Sequence, residues 1–599
     1  MPRILIEKAL EIVEKDSSKD IVPHLIIEAP TGYGKSVAAP LIASTMIRNG
    51  VSYGFIHSLP LRAIVRDLYL CLLINSLTND AELRRECRKS EEVLREVAEA
   101  LTSVGIGADE VAYQMGDLIF SRDELLKKEP LFNARYVVTT LDSLAYNAFR
   151  VPLTEIFNPR KHYATPRLRI FLSTLYIDEA HMIYEEEGDN SKITTIFKSL
   201  MEMVKAGNIP LVIASATLSE GIEKEIISDL RTVKVIKLSN KEGIEGNYVY
   251  VRDKDFEDFI RSVNWVTNFI EEHELVKKVS ELINSGLRVF IARDTVCSAI
   301  STYITLRNNL ELRDGEIVLL HSLMSRSDRE EAHSKLSSGR VKILVATSVV
   351  EAGVDLSFDV LITDAGRPAS IIQRVGRVCR TPTTCKSQEA LIYLMKNEHM
   401  IKDVFDFVNN VKQNNKEVGW RLPYDVDNYT SYITLLNNIK TEIKVDGELL
   451  RRLKGLTNPL LISGQTINQI LKNMDYALTR VHLVEVLIRR PDTSKLNHSK
   501  LDKDSMVTNI EKLAFLTRRG CIESLYIVRD NAEIEERKIL NDSFKSRELE
   551  SRLLKKYIEI MLNPELRYRT SKIAYLLKDS CYTKGLGVKY EVLCLQEGK

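Results

Sequence analysis

The stretch His-Leu-Ile-Ile-Glu-Ala-Pro-Thr-Gly-Tyr-Gly-Lys-Ser, residues 24–36, decides how this chain folds. A short apolar, β-branched run halts at Ala29-Pro30, two glycines follow, and a helical run begins at Lys35-Ser36. Gly32 and Gly34 let the backbone curl so that its N–H groups surround a phosphate, with the positive end of the next helix pointing at it. Thr31 lies in the same loop. Lys35 is placed to reach the β- and γ-phosphates of ATP, and Ser36 to hold Mg2+. The strict pattern opens with Gly, and Ala29 stands there instead.

Outward from this loop the chain alternates strand and helix. SYGFIHSLP (52–60), RYVVTTLD (135–142), IFLSTLYIDEAH (170–181) and IPLVIASAT (209–217) are further short apolar runs that end in small or polar residues. Such runs, interleaved with helical segments, predict a parallel sheet covered on both faces, with ligands at the carboxyl ends of the strands. Residues 72–130 are charged and helical in pattern and read as a solvated insertion. Residues 236–280 read as a connection. Five more runs, LRVFIARD (287–294), GEIVLLHS (315–322), VKILVATS (341–348), FDVLITDAG (358–366) and EALIYLM (389–395), predict a second sheet of the same kind. The division expected is therefore 1–235, 236–400 and a C-terminal region 401–599, mainly helical, in which Trp420 and the tyrosines 424, 429 and 432 are read as core.

The polar residues at the strand ends form two further sets. In Leu-Tyr-Ile-Asp-Glu-Ala-His (175–181) an apolar strand delivers two adjacent carboxylates. Asp178 suits the magnesium and Glu179 the attacking water. His181 is expected to couple nucleotide state to the Ser-Ala-Thr segment through Ser215 and Thr217. In Gln-Arg-Val-Gly-Arg-Val-Cys-Arg (373–380) the arginines 374, 377 and 380 recur at helical spacing, which would put them on one helix face. Arg377 and Arg380 are expected to reach the γ-phosphate, where such fingers raise rates on the order of a thousandfold. Gln373 is expected to contact the nucleotide or bridge the domains, Asp355 to touch the nucleotide, and Thr347 the nucleic-acid backbone.

Composition excludes several alternatives. The 599-residue chain is 44% hydrophobic and 28% charged, with a net charge of +1, so a nucleic acid would need a local basic cleft rather than a basic coat. Its eight cysteines form no CxxC pair, from which a reduced cytoplasmic setting without disulfides or zinc is expected. No apolar run approaches the roughly 18 residues of a membrane span. The N-terminus reads as an amphipathic helix rather than a signal peptide. The wealth of Ile, Lys and Glu resembles that of some thermophile proteins.

Taken in order, these segments resemble the superfamily-two helicases of the DEAH-box and DEAD-box type over about residues 29–380. The resemblance implies an α/β fold of two tandem RecA-like domains, ATP and Mg2+ as cofactors, and a nucleic-acid strand lying across both domains. It assigns strand contacts to Ser58, Leu61 and Arg62, to Thr139 and Thr140, and, in the second domain, to Arg293, Asp294, His321, Ser322 and Thr347. Within that superfamily SLPLRAI, VVTTLDSLAYN and VVEAGVDLSFDVLITDAGRPASIIQRVGR resemble the CRISPR-associated signature helicase of type I interference systems.

That subfamily implies 3′ to 5′ translocation on single-stranded DNA, in a prokaryotic cytoplasm, together with a guide-RNA surveillance complex. Many of its members open with a nuclease domain marked by a His-Asp doublet. None of the ten histidines here is followed by Asp, so the helicase-only form is expected, with a separate metal-dependent nuclease as partner. No Gln precedes Gln114, so the adenine-reading glutamine of DEAD-box proteins is missing upstream of the loop. The alternatives are a DNA-repair or RNA helicase and a nucleotide-switched scaffold.

Overall fold

The computed structural model describes residues 3–78, 80–87, 89–115, 127–149, 164–184, 191–230, 232–348, 357–381, 385, 388–397, 400–438, 443–457, 483–491, 501, 503–529, 534–539, 549–550, 552–553 and 570–594. The chain divides into two compact units. One comprises Met1–Val266, Arg367–Gly376 and Ile401–Arg480, and the other Thr267–Gly366, Arg377–Met400 and Val481–Lys599.

Among the described residues the first unit holds a nine-stranded sheet. Its strands are β1 (His24–Glu28), β2 (Gly54–Leu59), β3 (Val111–Gln114), β4 (Tyr136–Thr140), β5 (Ser173–Asp178), β6 (Leu211–Ser215), β7 (Lys234–Leu238), β8 (Gly243–Glu245) and β9 (Tyr248–Val251). Their order is β3-β4-β2-β5-β6-β1-β7-β9-β8, and every pair but β8–β9 is parallel. Parallel neighbours need crossovers, and helices on the sheet faces bury β1, β2, β4, β5 and β6 along their whole lengths, which is why these strands read as unbroken apolar runs. The helix Gly447–Thr457 joins this core through Leu449, Leu453 and Leu456.

The second unit holds a six-stranded sheet of β10 (Asn264–Glu271), β11 (Val289–Ala292), β12 (Ile317–Leu320), β13 (Ile343–Ala346), β14 (Val360–Asp364) and β15 (Glu389–Lys396), in the order β10-β15-β14-β11-β13-β12. Its pairs from β15 through β12 are parallel. The molecule is thus α/β with two parallel-strand sheets.

Several boundaries differ from expectation. β7, β8 and β9 extend the first sheet beyond residue 235, and β10, in the presumed connection, belongs to the second. Residues 401–599 do not form a body of their own: 401–480 cluster with the first unit and 481–599 with the second. Among the described residues of the latter segment strands outweigh helices. After a small β16 (Glu417–Gly419) and β17 (Tyr429–Ser431) pair come β18 (Leu483–Leu487), β19 (Ser505–Asn509), β20 (Ile522–Arg529), β21 (Ile534–Lys538) and β22 (Thr570–Leu577), which form a five-stranded sheet. Charges on its strands, such as Glu523 and Arg537, obscure the apolar pattern.

The cysteines are a second correction. All eight pair, as Cys71–Cys87, Cys297–Cys594, Cys379–Cys385 and Cys521–Cys581. Spacing along the chain carried no sign of this, because the fold brings together cysteines as far as 297 positions apart. Among the described residues no helix is long and apolar enough to cross a membrane.

Candidate active site

The first unit assembles the predicted phosphate loop and carboxylates at the carboxyl ends of β1, β5 and β6. Gly32 and Gly34 adopt φ of 80° and 101°, the left-handed region that glycine enters without strain, and Gly34 caps the helix Lys35–Arg48. The loop therefore curls directly above a helix N-terminus. The Lys35 ammonium is folded into this loop, donating to the Ala29 carbonyl at 2.9 Å and the Pro30 carbonyl at 3.4 Å. Tyr176 on β5 donates to the Lys35 carbonyl at 3.0 Å.

The Ser36 hydroxyl donates to Asp178 Oδ2 at 3.3 Å, so two oxygen donors face one point beside the loop. That fits Mg2+, which favours carboxylate, hydroxyl and phosphate oxygens with retained waters over an all-protein cage. Among the described residues no group of three or more His, Cys, Asp or Glu side chains could hold a metal. The ion's other ligands would then be nucleotide and water.

Glu179 leaves β5 with φ 51°, turning its side chain away from that of Asp178 while its N–H donates to Asp178 Oδ1 at 2.9 Å. The adjacent carboxylates thus sit in different surroundings. His181 Nδ1 lies 3.4 Å from Glu179 Oε2 and 3.2 Å from Ser215 Oγ, and Ser215 Oγ accepts from the Thr217 N–H at 3.3 Å. Burial, helped by the Lys35 charge and opposed by Asp178, lowers the His181 pKa to about 3, so the ring is neutral. His181 thus lies between Glu179 and the Ser-Ala-Thr segment.

A residue the sequence reading did not single out completes the site. His57 on β2 is fully buried, with Nε2 3.6 Å from Asp178 Oδ2 and Nδ1 3.2 Å from the Tyr136 hydroxyl. Burial alone would raise the Asp178 carboxyl, but His57 and then Lys35 hold it below its ordinary value. The available signal was a histidine inside an otherwise apolar strand beside the one that bears the carboxylates.

The residues expected to contact a strand in the first unit lie together. Ser58 pairs in register with Thr139, so β2 and β4 end side by side, and Leu61 and Arg62 open the following helix. Ser58 Oγ is buried without a hydrogen-bond partner among the described residues. Thr139 donates to the Gln114 carbonyl at 2.8 Å, and Thr140 caps the helix Leu141–Ala148.

In the second unit two expectations are corrected. The Arg293 guanidinium is buried against Glu272, Asp364 and Thr302, at 2.8–3.2 Å. His321 is also fully buried: Nε2 donates to the Leu586 carbonyl at 2.9 Å and Nδ1 accepts from the Leu323 N–H at 3.2 Å. Both side chains hold the protein together here instead of facing a strand. Thr347 follows β13 and is buried, and Asp355 lies outside the described residues.

Arg374, Arg377 and Arg380 do not share a helix face. The helix Pro368–Val375 ends at Gly376, and Val378 then bridges to Phe358. Arg377 and Arg380 belong to the second unit, whereas Gln373 packs with the first and accepts from the Thr31 hydroxyl at 3.2 Å.

Residues 7–224 match the family described as DEAD/DEAH box helicase, and residues 285–383 match the one described as CRISPR-associated nuclease/helicase Cas3, C-terminal. The chain thus carries a DEAD/DEAH box helicase domain and a Cas3-like C-terminal helicase domain. It is 23% identical over 398 residues to the CRISPR-associated nuclease/helicase Cas3 of Streptococcus thermophilus, covering 62% of this chain and 40% of that one. To the ATP-dependent helicase Lhr-Core of Methanocaldococcus jannaschii it is 24% identical over 368 residues, covering 59% and 38%. The Cas3-like chain thus spans about two fifths of these curated relatives. The crystal structure of T. fusca Cas3 shares the fold, with a TM-score of 0.54 and 16% identity over 85% of this chain and 64% of that one.

Proposed function

We propose that this protein is an ATP-dependent motor that moves 3′ to 5′ along single-stranded DNA in type I CRISPR interference. The observation that carries the ATPase reading is the Ser36–Asp178 pair beside Lys35 and the phosphate loop, with Glu179 tied through His181 to Ser215. With ATP bound, Mg2+ would neutralise the phosphate charge. Lys35 would leave the loop carbonyls for the β- and γ-phosphates, and Glu179 would orient and deprotonate water. Arg377 and Arg380 are assigned to the γ-phosphate, Asp355 to the nucleotide, and Ser58, Leu61, Arg62, Thr139, Thr140 and Thr347 to the strand. Phosphate contacts of this kind grip without reading bases.

The Cas3 relatives and the matched Cas3 C-terminal family support the interference role. On that role the nuclease is a separate subunit, and the guide-RNA surveillance complex delivers the DNA in the cytoplasm. Paired cysteines are compatible with this setting, since intracellular proteins of hyperthermophiles are disulfide-rich. The Lhr-Core relatives favour a second reading, a helicase outside interference.

Steady-state ATPase measured alone, with single-stranded DNA and with matched RNA separates the two. Stimulation by DNA only, falling with salt as phosphate contacts require, is expected. Stimulation by RNA, or equally by both, would favour the second reading. No stimulation by either would overturn the motor.

A further inference from the structure

The Ser-Ala-Thr segment is held from two sides. On one side His181 meets Ser215. On the other the hydroxyl of Tyr432, a fully buried residue, donates to the Ala216 carbonyl at 3.1 Å. Burial, reinforced by Glu28 and opposed by Arg421, raises the Tyr432 phenol well above its ordinary pKa, so it stays a donor.

Tyr432 opens the helix Tyr432–Asn438, whose far end is also attached to this region. The Asn437 amide donates to Glu220 Oε1 at 3.2 Å and its oxygen accepts from the Glu220 N–H at 3.1 Å, at the start of the helix Glu220–Asp229 that follows the Ser-Ala-Thr segment. The same short helix packs against Pro368–Val375, which carries Gln373 and hence the contact to Thr31 in the phosphate loop. All of these residues lie in the first unit.

The segment leading into the helix is firmly seated. Arg421 lies over the rings of Phe256 and Phe259, 5.8 Å from each centroid. Tyr424 donates to Glu257 at 3.3 Å, and Arg261 pairs with Asp427. The segment is fixed on the helix Lys254–Ser262 and presents one hydroxyl and one amide to the Ser-Ala-Thr region.

We propose that residues 417–438 form a strut, with Tyr432 and Asn437 as positioning residues, that links the phosphate-loop contact of Gln373 to the Ser-Ala-Thr segment and so couples hydrolysis to strand movement. Neither residue belongs to the phosphate loop or the carboxylate pair. A change in the Thr31–Gln373 contact would shift Pro368–Val375, and the strut would pass that shift to Ala216 and Glu220. The inference rests on the motor reading above.

The test is Tyr432→Phe, which keeps the ring and removes only the hydroxyl, with Asn437→Ala as an exposed-site second variant. DNA-stimulated ATPase and strand displacement are measured on the same preparations, with ATP consumed per base pair opened as the readout. In each variant ATPase should stay within about twofold of wild type while displacement falls about tenfold, as loss of one hydrogen bond at Tyr432 or two exposed ones at Asn437 allows. Combining the two should add little further. Equal loss of both activities would show a merely structural role, and no loss of either would remove the strut from the mechanism. Either result in a wild type that hydrolyses and displaces overturns this inference alone. A wild type without DNA-stimulated hydrolysis overturns the motor reading instead.

Discussion

His57 Nε2 lies 3.6 Å from Asp178 Oδ2, and both residues are buried. The carboxylate assigned to the metal is therefore backed by an imidazole from the neighbouring strand, itself oriented by Tyr136. Partners behind a metal ligand typically set affinity by about 10- to 100-fold. His57→Ala should raise the Mg2+ concentration needed for half-maximal ATPase by about that factor. A magnesium titration at saturating ATP measures it.

Lys35→Ala and Asp178→Asn act on the phosphates and the metal themselves. Each should cut ATPase by at least about a hundredfold, the scale for losing one preorganised charge-stabilising group. Single-strand binding, measured by fluorescence anisotropy, should persist, since the residues proposed to contact the strand on β2 and β4 are separate from both.

Gly376 leaves no room for a side chain: a Cβ there would come within 2.6 Å of Thr31 Cβ and Cγ2. Gly376→Ala should push Thr31 from Gln373 and raise KM for ATP more than it lowers kcat. Initial-rate kinetics over a range of ATP concentrations checks this.

The parallel sheets were legible because strands buried on both faces must be apolar throughout. Each run quoted from residues 24 to 217 and 287 to 395 holds one observed strand. β7 to β10 escaped because their polar positions, such as Lys234, Lys237, Glu245 and Asn268, break the runs. The phosphate loop, Asp178 and Glu179 were legible because backbone chemistry fixes their spacing. His57 and Tyr432 were not, since each acts through a contact between segments distant in sequence. Arg293 and His321 show the converse: a residue matched by resemblance is turned inward by Glu272, Asp364 and the Leu586 carbonyl.

His321 also predicts a pH dependence. Burial lowers its pKa from 6.5 to about 4, against the opposing Leu586 bond and with help from the Lys512 and Arg329 charges. A neutral Nδ1 is required to accept from Leu323. The folded value lies below the unfolded one, so as pH falls below 6.5 the unfolded chain gains a proton that the folded chain refuses. Stability from this group is therefore complete above pH 6.5 and lost progressively down to about pH 4. Urea midpoints between pH 7.5 and 4 (about the accessible range) should show this slope in wild type and a weaker one in His321→Gln.

Removing the Cys297–Cys594 link by a double serine substitution should cost about 2–5 kcal/mol, the usual range for a native disulfide. Thermal unfolding with and without a dithiol reductant tests it, and the reductant should matter less in the variant.

That same link has a mechanical side. It joins the helix Val296–Asn309, beside the second sheet, to the turn after the helix Tyr590–Leu593, closing 297 positions of chain into one covalent ring. In the proposed motor role, recoil from the hauled strand enters through whichever segments grip it. Non-covalent packing can be peeled from an end, one contact at a time, under sustained load. A ring has no end to peel, so tension entering the five-stranded sheet is carried back through a sulfur bond rather than through its edge.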